Sequence, residues 1–303
     1  MLSIGELARR AGVTVKTVRF YSDRGLLPEA VRSGGGHRLY GIEALERLRL
    51  IRSLRALDLP VPQVGRVLDR GEALEDVVAR QLGELGTQLA ALRWREAALR
   101  LLHDCTAEQR AERLRLIGAV ASPPSTDAMV RFWHRVLPAR LSSRLASAII
   151  DAAVPQPPRE PRPEQVLAFA RLHALVAPAV DGCLAERLPV RVQRPDALYD
   201  GLFEAYDLAS ADLLAGRAPR EGAALDCFVS AHARSLGRQD TPGFRRRLGV
   251  MLTQAAEPAM DRYWALAREV TAPSSPSGPA QPTLGAVHEW LRAALDVQLA
   301  RSA

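Results

Sequence analysis

The stretch GVTVKTVRFYSDRGLL, residues 12–27, decides how the first part of this chain is read. It combines Lys16, Arg19 and Arg24 with two aromatic rings and two threonines. A buried helix would not accommodate that much charge, because removing an unpaired cation from water is costly. A helix that is merely solvated has no need of the hydroxyls and rings. The composition therefore favours a helix whose polar face meets a partner.

Helix-capping residues frame this stretch. Ser3 and Glu6 have the spacing of a capping box, which opens a short helix that ends at Gly12. Thr14 then stands at a second N-cap, and the helix after it is predicted to run over residues 15–24 with Val18 facing inward. Two short helices joined by a tight, glycine-containing turn are typical of a helix-turn-helix.

Residues 28–40 follow, with three glycines at their centre. They suit a two-stranded ribbon with a flexible tip. A third helix is predicted from about Ile42 to Leu57, with a short fourth helix that reaches Leu68. These elements complete a compact N-terminal domain.

A heptad pattern comes next, with apolar residues at alternating spacings of four and three, interrupted only by Glu96. Such a pattern predicts a coiled-coil seam of about three heptads and hence a dimer. An amphipathic helix packed on its own domain is the alternative. The seam residues are Val78, Leu82, Leu85, Leu89, Leu92 and Leu99.

The positive charge is concentrated at the N-terminus. Residues 1–72 carry 13 Lys and Arg against 8 Asp and Glu, a net of +5, whereas residues 73–303 carry 28 against 26, a net of +2. This asymmetry points to an anionic partner for the first domain.

Other classes of protein are disfavoured. The chain has no apolar run long enough for a membrane span and no signal-peptide core. Its three scattered cysteines, 105, 183 and 227, favour a reducing cytoplasm over a disulfide framework. His103 and Cys105 are the only metal-like pair. A soft metal needs two or more such ligands held close, and the alternative is an ordinary helix end, so we expect neither a metal site nor a cofactor. Nucleophile-elbow, Walker, zinc-protease and dinucleotide motifs are lacking, so we expect no enzyme.

The rest of the chain is predicted to be α-helical. Proline-rich breaks at 122–125, 155–163 and 272–282 separate helical segments predicted near 127–152, 164–188, 196–215, 221–236, 242–256, 258–270 and 284–299. The fold class is therefore mainly α, in three parts. We expect a winged helix-turn-helix DNA-binding domain over 1–72, a coiled-coil dimerisation helix and connector over 73–120, and an all-α effector-binding domain over 125–303.

On a helix in the DNA major groove, basic side chains would neutralise phosphates and hydroxyls would contact base edges, while the ribbon would act as a wing. The alternative is a basic surface helix with Phe20 and Tyr21 as partial core. The residues expected to contact DNA are Thr14, Lys16, Thr17, Arg19 and Tyr21 on the helix and Arg32, His37, Arg38 and Tyr40 on the wing.

The run TVRFY at residues 17–21, with GHRLY at 36–40, resembles the DNA-binding domain of the MerR family of bacterial transcription regulators. The resemblance covers about residues 2–70 and extends in layout through the dimer helix. It implies a homodimer joined by an antiparallel coiled coil, with each winged helix-turn-helix reading half of a promoter site. It also implies that effector binding distorts the DNA so that RNA polymerase can engage both promoter elements.

The C-terminal helices resemble the effector domains of drug- or metabolite-sensing members in size and position only. Aromatic and histidine side chains are the candidates for lining an apolar cavity, although each could instead be ordinary core. The candidates are Trp133, His134, His173, Tyr199, Phe203, Tyr206, Tyr263, Trp264 and Trp290.

The sequence thus predicts a homodimeric, ligand-responsive regulator of the bacterial cytoplasm, associated with the nucleoid. Its expected partners are double-stranded promoter DNA, RNA polymerase indirectly, and an unknown small-molecule effector. An effector-independent architectural DNA-binding protein and a drug-sequestering protein remain as alternatives.

Overall fold

A computed structural model describes the chain except for positions 30, 33, 35, 70, 123, 178–192, 274–281 and 303. It consists of two compact units, residues 1–88 and residues 89–303. Within the described ranges, no helix is both long and apolar enough to cross a lipid bilayer.

The N-terminal unit contains four short helices and a small antiparallel sheet. Its elements are β1 (Leu2–Ser3), α1 (Ile4–Ala11), α2 (Val15–Asp23), β2 (Val31–Arg32), β3 (Arg38–Tyr40), α3 (Ile42–Ala56) and α4 (Val61–Leu68). The strand order is β1-β3-β2, with Leu2 opposite Tyr40 and Val31 opposite Leu39. The expected two-stranded ribbon is therefore a three-stranded sheet, because the first residues of the chain add an edge strand.

The predicted helix caps are confirmed in the N-terminal unit. The Ser3 hydroxyl accepts a hydrogen bond from the Glu6 backbone amide at 3.2 Å, and that of Thr14 accepts from the Thr17 amide at 3.1 Å. Gly12 and Gly25 end the two helices with φ of 65° and 74°, a conformation that costs glycine little. The turn between α1 and α2 is thus fixed by residues that the sequence identifies.

Helix α5 (Leu74–His103) has two apolar faces. The six predicted seam residues lie along one face and are 36–64% exposed in the single chain. Trp94, Ala97, Ala98 and Leu101 lie on the opposite face and are buried in the core of the C-terminal unit. One face of α5 therefore has its apolar partners within the chain, while the other exposes a row of leucines to water.

The C-terminal unit is helical throughout its described residues. After the second half of α5 it contains α6 (Ala107–Gly118), α7 (Asp127–Val136), α8 (Ser143–Ala153), α9 (Pro163–Val176), α10 (Pro195–Leu214), α11 (Ala223–Ser235), α12 (Pro242–Gln254), α13 (Pro258–Thr271) and α14 (Leu284–Arg301). The expectation of a mainly α protein with a helix-turn-helix at its N-terminus is confirmed.

Two of the predicted helical segments need revision. The single helix expected over residues 127–152 is two helices, because Leu137 is extended (ψ 145°) before Pro138, and proline disfavours helical conformation in the preceding residue. The helix expected over 164–188 corresponds to α9, and positions 178–188 of that prediction lie outside the described residues.

Two hydrophobic clusters fill the C-terminal unit, one centred on α7, α9 and α13 and the other on α10, α11 and α14. In the first, the indole of Trp133 donates a hydrogen bond to the Tyr263 hydroxyl at 2.8 Å, and that hydroxyl donates to the Ala153 carbonyl at 2.9 Å. Because both polar groups are satisfied, the two rings are held in a fixed place within the core.

The exposed face of α5 generates a first prediction. Replacing Leu85 and Leu89 together by glutamate should convert a dimer into a monomer, because four charges would then face each other across the seam. Sedimentation equilibrium measures the change. Thr87→Glu is the control for a charge added outside the seam, since Thr87 is exposed on the opposite side of α5; it adds one negative charge per chain where the double substitution adds two. A dimer that survives the double substitution, or is lost in the control, would contradict the seam.

Candidate DNA interface and ligand cavity

Helix α2 presents unpaired basic side chains to solvent. Val18 is fully buried and anchors the helix in the N-terminal core, whereas Lys16 and Arg19 project from its exposed side. Among the described residues neither cation has a carboxylate partner. Thr14 is exposed and Thr17 half-buried, with their hydroxyls 2.9 Å apart. This face can therefore offer two free positive charges and hydroxyl groups to an anionic surface.

Phe20 adds an exposed ring to the same helix. Its side chain is 41% exposed, and the Arg24 guanidinium lies over the ring at 4.5 Å from its centroid. Tyr21 contacts the ring edge-on, with centroids 5.3 Å apart. The stacking holds Arg24 in position beside Lys16 and Arg19 on the helix surface.

The wing arginines, in contrast, are neutralised by nearby carboxylates. Arg38 donates to Asp23 at 2.7 Å and contacts Glu29 at 2.6 Å, and Arg32 donates to the other oxygen of Glu29 at 3.1 Å. The hydrogen bond to Asp23 raises the pKa of Arg38 further. His37 is exposed on the same ribbon. The wing is therefore ordered by ion pairs and carries less net charge than its arginines suggest.

Two of the tyrosines expected to contact DNA lie in the core instead. Tyr40 is fully buried, because it ends β3 opposite Leu2 and turns its ring inward, and its hydroxyl lies 2.7 Å from that of Ser22. Tyr21 is also buried. The expectation that Tyr40 reaches out from the wing is therefore wrong, and the ring of Tyr21 packs beneath the surface of α2.

The C-terminal unit contains a cavity of about 550 Å³, a size typical of small-molecule sites. Helices α7, α10, α13 and α14 supply most of its wall, which is largely apolar. Five of the nine residues expected to bind an effector line it, namely Trp133, Tyr199, Phe203, Tyr206 and Trp264.

The other four candidates lie elsewhere. Tyr263 is held beneath the cavity wall by its two hydrogen bonds, and Trp290 is buried in the second cluster, where its indole donates to the Arg217 carbonyl at 3.0 Å. His134 is exposed, and His173 is half-buried, with burial lowering its pKa. Neither histidine belongs to the cavity lining.

His288 and Arg135 also line the cavity, although the sequence did not indicate them. The Tyr206 hydroxyl lies 2.8 Å from His288 Nδ1. Burial lowers the pKa of His288 to about 4, aided by Arg292, and burial raises the pKa of Tyr206. The imidazole is therefore neutral and the phenol keeps its proton, so Tyr206 and His288 share a hydrogen bond between two uncharged groups.

A second buried histidine, His232, contacts the same phenylalanine ring as His288. Phe228 contacts both histidines edge-on, with its centroid 5.5 Å from that of His288 and 4.8 Å from that of His232. Burial lowers the pKa of His232 to about 4, with a smaller contribution from His288. Two neutral imidazoles therefore pack against one phenyl ring, and of the two His288 lines the cavity.

Gly285 sets the position of one cavity wall. A Cβ atom at this residue would lie 2.2 Å from Cγ of Trp264, so any larger side chain would displace the indole. The close approach explains why a glycine follows the first residue of α14, and it makes the shape of the cavity sensitive to this single position.

His103 and Cys105 each contact a different neighbour. Cys105 is buried and donates to the Leu102 carbonyl at 3.1 Å, while His103 contacts Asp104 at 2.7 Å. Over the described positions, no group of three or more histidine, cysteine or acidic side chains could hold a metal ion.

Comparison with known proteins gives a consistent result for the first part of the chain. The family described as MerR HTH family regulatory protein matches residues 2–71. The chain is 33% identical over 109 residues to the HTH-type transcriptional regulator ZntR homolog of Haemophilus influenzae, covering 33% of this chain and 81% of that protein. It is 32% identical over 145 residues to nodulation protein NolA of Bradyrhizobium sp. (strain NC92), covering 48% of this chain and 58% of that protein.

Among solved structures, a transcription regulator from Ralstonia metallidurans CH34 in complex with lead(II) is 38% identical, covers 35% of this chain and 90% of its own, and has a TM-score of 0.31. The chain spans less than two thirds of the length of the NolA relatives that it matches.

The buried histidines generate a second prediction. Their folded-state pKa values of about 4 lie below the unfolded value of about 6.5, so the unfolded chain binds more protons between these pH values. Stability should be complete above about pH 7 and fall by about 2 kcal/mol for each of the two histidines by pH 5. Denaturant unfolding followed by tryptophan fluorescence reports on this unit, since all four tryptophans lie within residues 89–303.

The variant His288→Gln should reduce this pH dependence, whereas His103→Gln, at an exposed histidine, should leave it unchanged. Equal pH dependence in the wild type and His288→Gln would show that the buried imidazole does not contribute.

Proposed function

Because the chain belongs to the MerR family of HTH regulatory proteins, we propose that it binds promoter DNA as a homodimer and changes transcription by distorting that DNA when a small-molecule effector binds. The observation that carries the DNA assignment is the exposed face of α2, where Lys16 and Arg19 stand without carboxylate partners among the described residues.

Helix α2 is suited to the major groove by its surface chemistry. Lys16, Arg19 and Arg24 can neutralise phosphates, which supplies affinity, and Thr17 stands between them with a hydroxyl for short polar contacts. The ion-paired wing would fix the protein beside the backbone, because Asp23 and Glu29 hold Arg38 in one orientation. The helix would thus provide most of the charge and the wing most of the positioning.

The leucine stripe on α5 supports a homodimer. Six apolar residues at heptad spacing are exposed on the single chain, and a second copy of the same helix would cover them. Two copies would place two α2 helices on one duplex, as a promoter site with two half-sites requires. RNA polymerase remains an indirect partner in this proposal.

The cavity of the C-terminal unit favours an effector over the purely architectural alternative. A unit that served only assembly would be expected to have a solid core, yet this one encloses about 550 Å³ lined by five aromatic residues. Sequestration of a toxic compound would use the same cavity. The two functions differ in whether the occupied cavity alters the DNA complex.

The DNA assignment generates a third prediction. In a salt titration of binding to a duplex selected by the wild-type protein from a random pool, Arg19→Ala and Lys16→Ala should each reduce the slope of log affinity against log salt by about one. Arg115→Ala is the control for net charge, because Arg115 is an exposed residue of α6.

Arg38→Ala should also weaken binding, because it leaves Asp23 without its cation and Glu29 with Arg32 alone. Sedimentation should show that each variant keeps the oligomeric state of the wild type. If Arg19→Ala and Arg115→Ala give the same slope, α2 is not the helix that contacts phosphate.

A further inference from the structure

The described lining of the cavity carries positive charge only. Arg135 is the only residue with a formal charge at neutral pH among its described lining residues, since burial keeps His288 neutral and no carboxylate contributes to the wall. Arg135 is exposed at the end of α7, and no carboxylate among the described residues pairs with it. The described lining therefore offers a cation to a ligand and no anion.

We propose that the cavity binds a planar aromatic ligand that carries an anionic group, with the group held by Arg135 and the ring body packed among Trp264, Phe203 and Tyr199. The proposal rests on the effector role proposed above and adds the chemical class of the effector. A guanidinium binds carboxylate, sulfonate or phosphate oxygens through paired hydrogen bonds, and its unpaired state leaves these donors available.

The aromatic wall fits the other half of such a ligand. Trp133 and Trp264 have ring centroids 5.6 Å apart, and the indole nitrogen of Trp133 is already used by Tyr263. A planar ligand can therefore stack on the Trp133 ring without leaving its indole N–H unsatisfied, and the tilted Trp264 ring extends the aromatic surface. Gly285 gives Trp264 the space to hold this position.

Tyr206 and His288 supply directional polar contacts deeper in the wall. The Tyr206 hydroxyl and His288 Nδ1 share one hydrogen bond, which leaves the phenol a further hydrogen-bonding position for a ligand and does not use Nε2 of His288. Burial raises the pKa of Tyr199, so this phenol stays protonated and can donate as well. A ring-borne hydroxyl, carbonyl or amide would satisfy these groups.

A cationic aromatic ligand is the competing class, because ring faces attract cations. In this cavity that attraction is opposed by Arg135, and no carboxylate of the lining compensates for the loss of the ligand's hydration. Charge at Arg135 is therefore the property that distinguishes the two classes.

The test uses three probes with the same ring system and different charge: naphthylacetate, naphthylethanol and naphthylethylammonium. Isothermal titration calorimetry of the full chain should show naphthylacetate binding about tenfold more tightly than the alcohol, the size expected of one charge-assisted hydrogen bond, with the ammonium probe weakest. Arg135→Gln should abolish the difference between the anion and the alcohol.

Arg131→Gln is the matched control, because Arg131 is an exposed arginine one turn earlier on α7 and does not line the cavity. It should retain the wild-type order of affinities. Gly285→Ala, which displaces Trp264, should weaken the binding of all three probes. A loss of affinity in this variant shows that the probes bind in the cavity.

Three results would overturn the proposal: no heat with any probe, an ammonium probe that binds as tightly as the acetate, or the same affinities in Arg135→Gln and Arg131→Gln. DNA binding by the same wild-type preparation separates this failure from that of the proposed function. If the protein binds its selected duplex but shows no preference for the anion, only the ligand class is wrong. If it binds no duplex at any salt concentration, the regulatory function itself is wrong.

Discussion

The two opposed apolar faces of α5 are the constraint on which the rest of this protein depends. Trp94, Ala97 and Leu101 on one face are buried with the helices of the C-terminal unit, and Leu82, Leu89 and Leu99 on the other are exposed. The free energy of covering this stripe in water favours association with a second copy. Because α5 is shared by both compact units, the helix that would join two copies is also part of the core beside the cavity.

The C-terminal unit keeps polar groups in its interior at a cost in stability. His288 and His232 are held neutral by burial, and Trp133, Tyr263, Tyr206 and His288 are arranged as hydrogen-bonded pairs. An interior built only for stability would be better served by aliphatic side chains, since buried polar groups contribute little net stability even when paired. Their position at and beside a cavity is what a binding site requires, and it supports the effector role proposed for this unit.

Much of the fold can be predicted because its signals are local. Caps at Ser3, Thr14 and Thr241 each identify a helix start within a few residues, and the heptads of α5 extend over enough turns to predict one long helix. Strand β1 could not be predicted, because two residues carry no alternation and their pairing with β3 is a tertiary contact. The burial of Tyr40 could not be predicted for the same reason, because it depends on that pairing.

The candidate site was only partly predictable for the same reason. Rings at spacings of three and four on α10 identified Tyr199, Phe203 and Tyr206, but the partner of Tyr206 is 82 residues away in sequence. Neither His288 nor Arg135 belongs to a sequence pattern that would mark it as part of a binding site. Only the packing of α7 and α14 around α10 distinguishes them from ordinary surface and core residues.

The central claim is that a ligand in the C-terminal cavity changes the shape of DNA bound by the N-terminal unit. Its most direct test is energy transfer between dyes at the two ends of the selected duplex, measured with the protein bound and with naphthylacetate added to saturation. The account predicts that transfer efficiency changes on addition of the ligand and that Gly285→Ala, which obstructs the cavity, removes the change. An unchanged efficiency, while calorimetry shows the cavity filled, would contradict it.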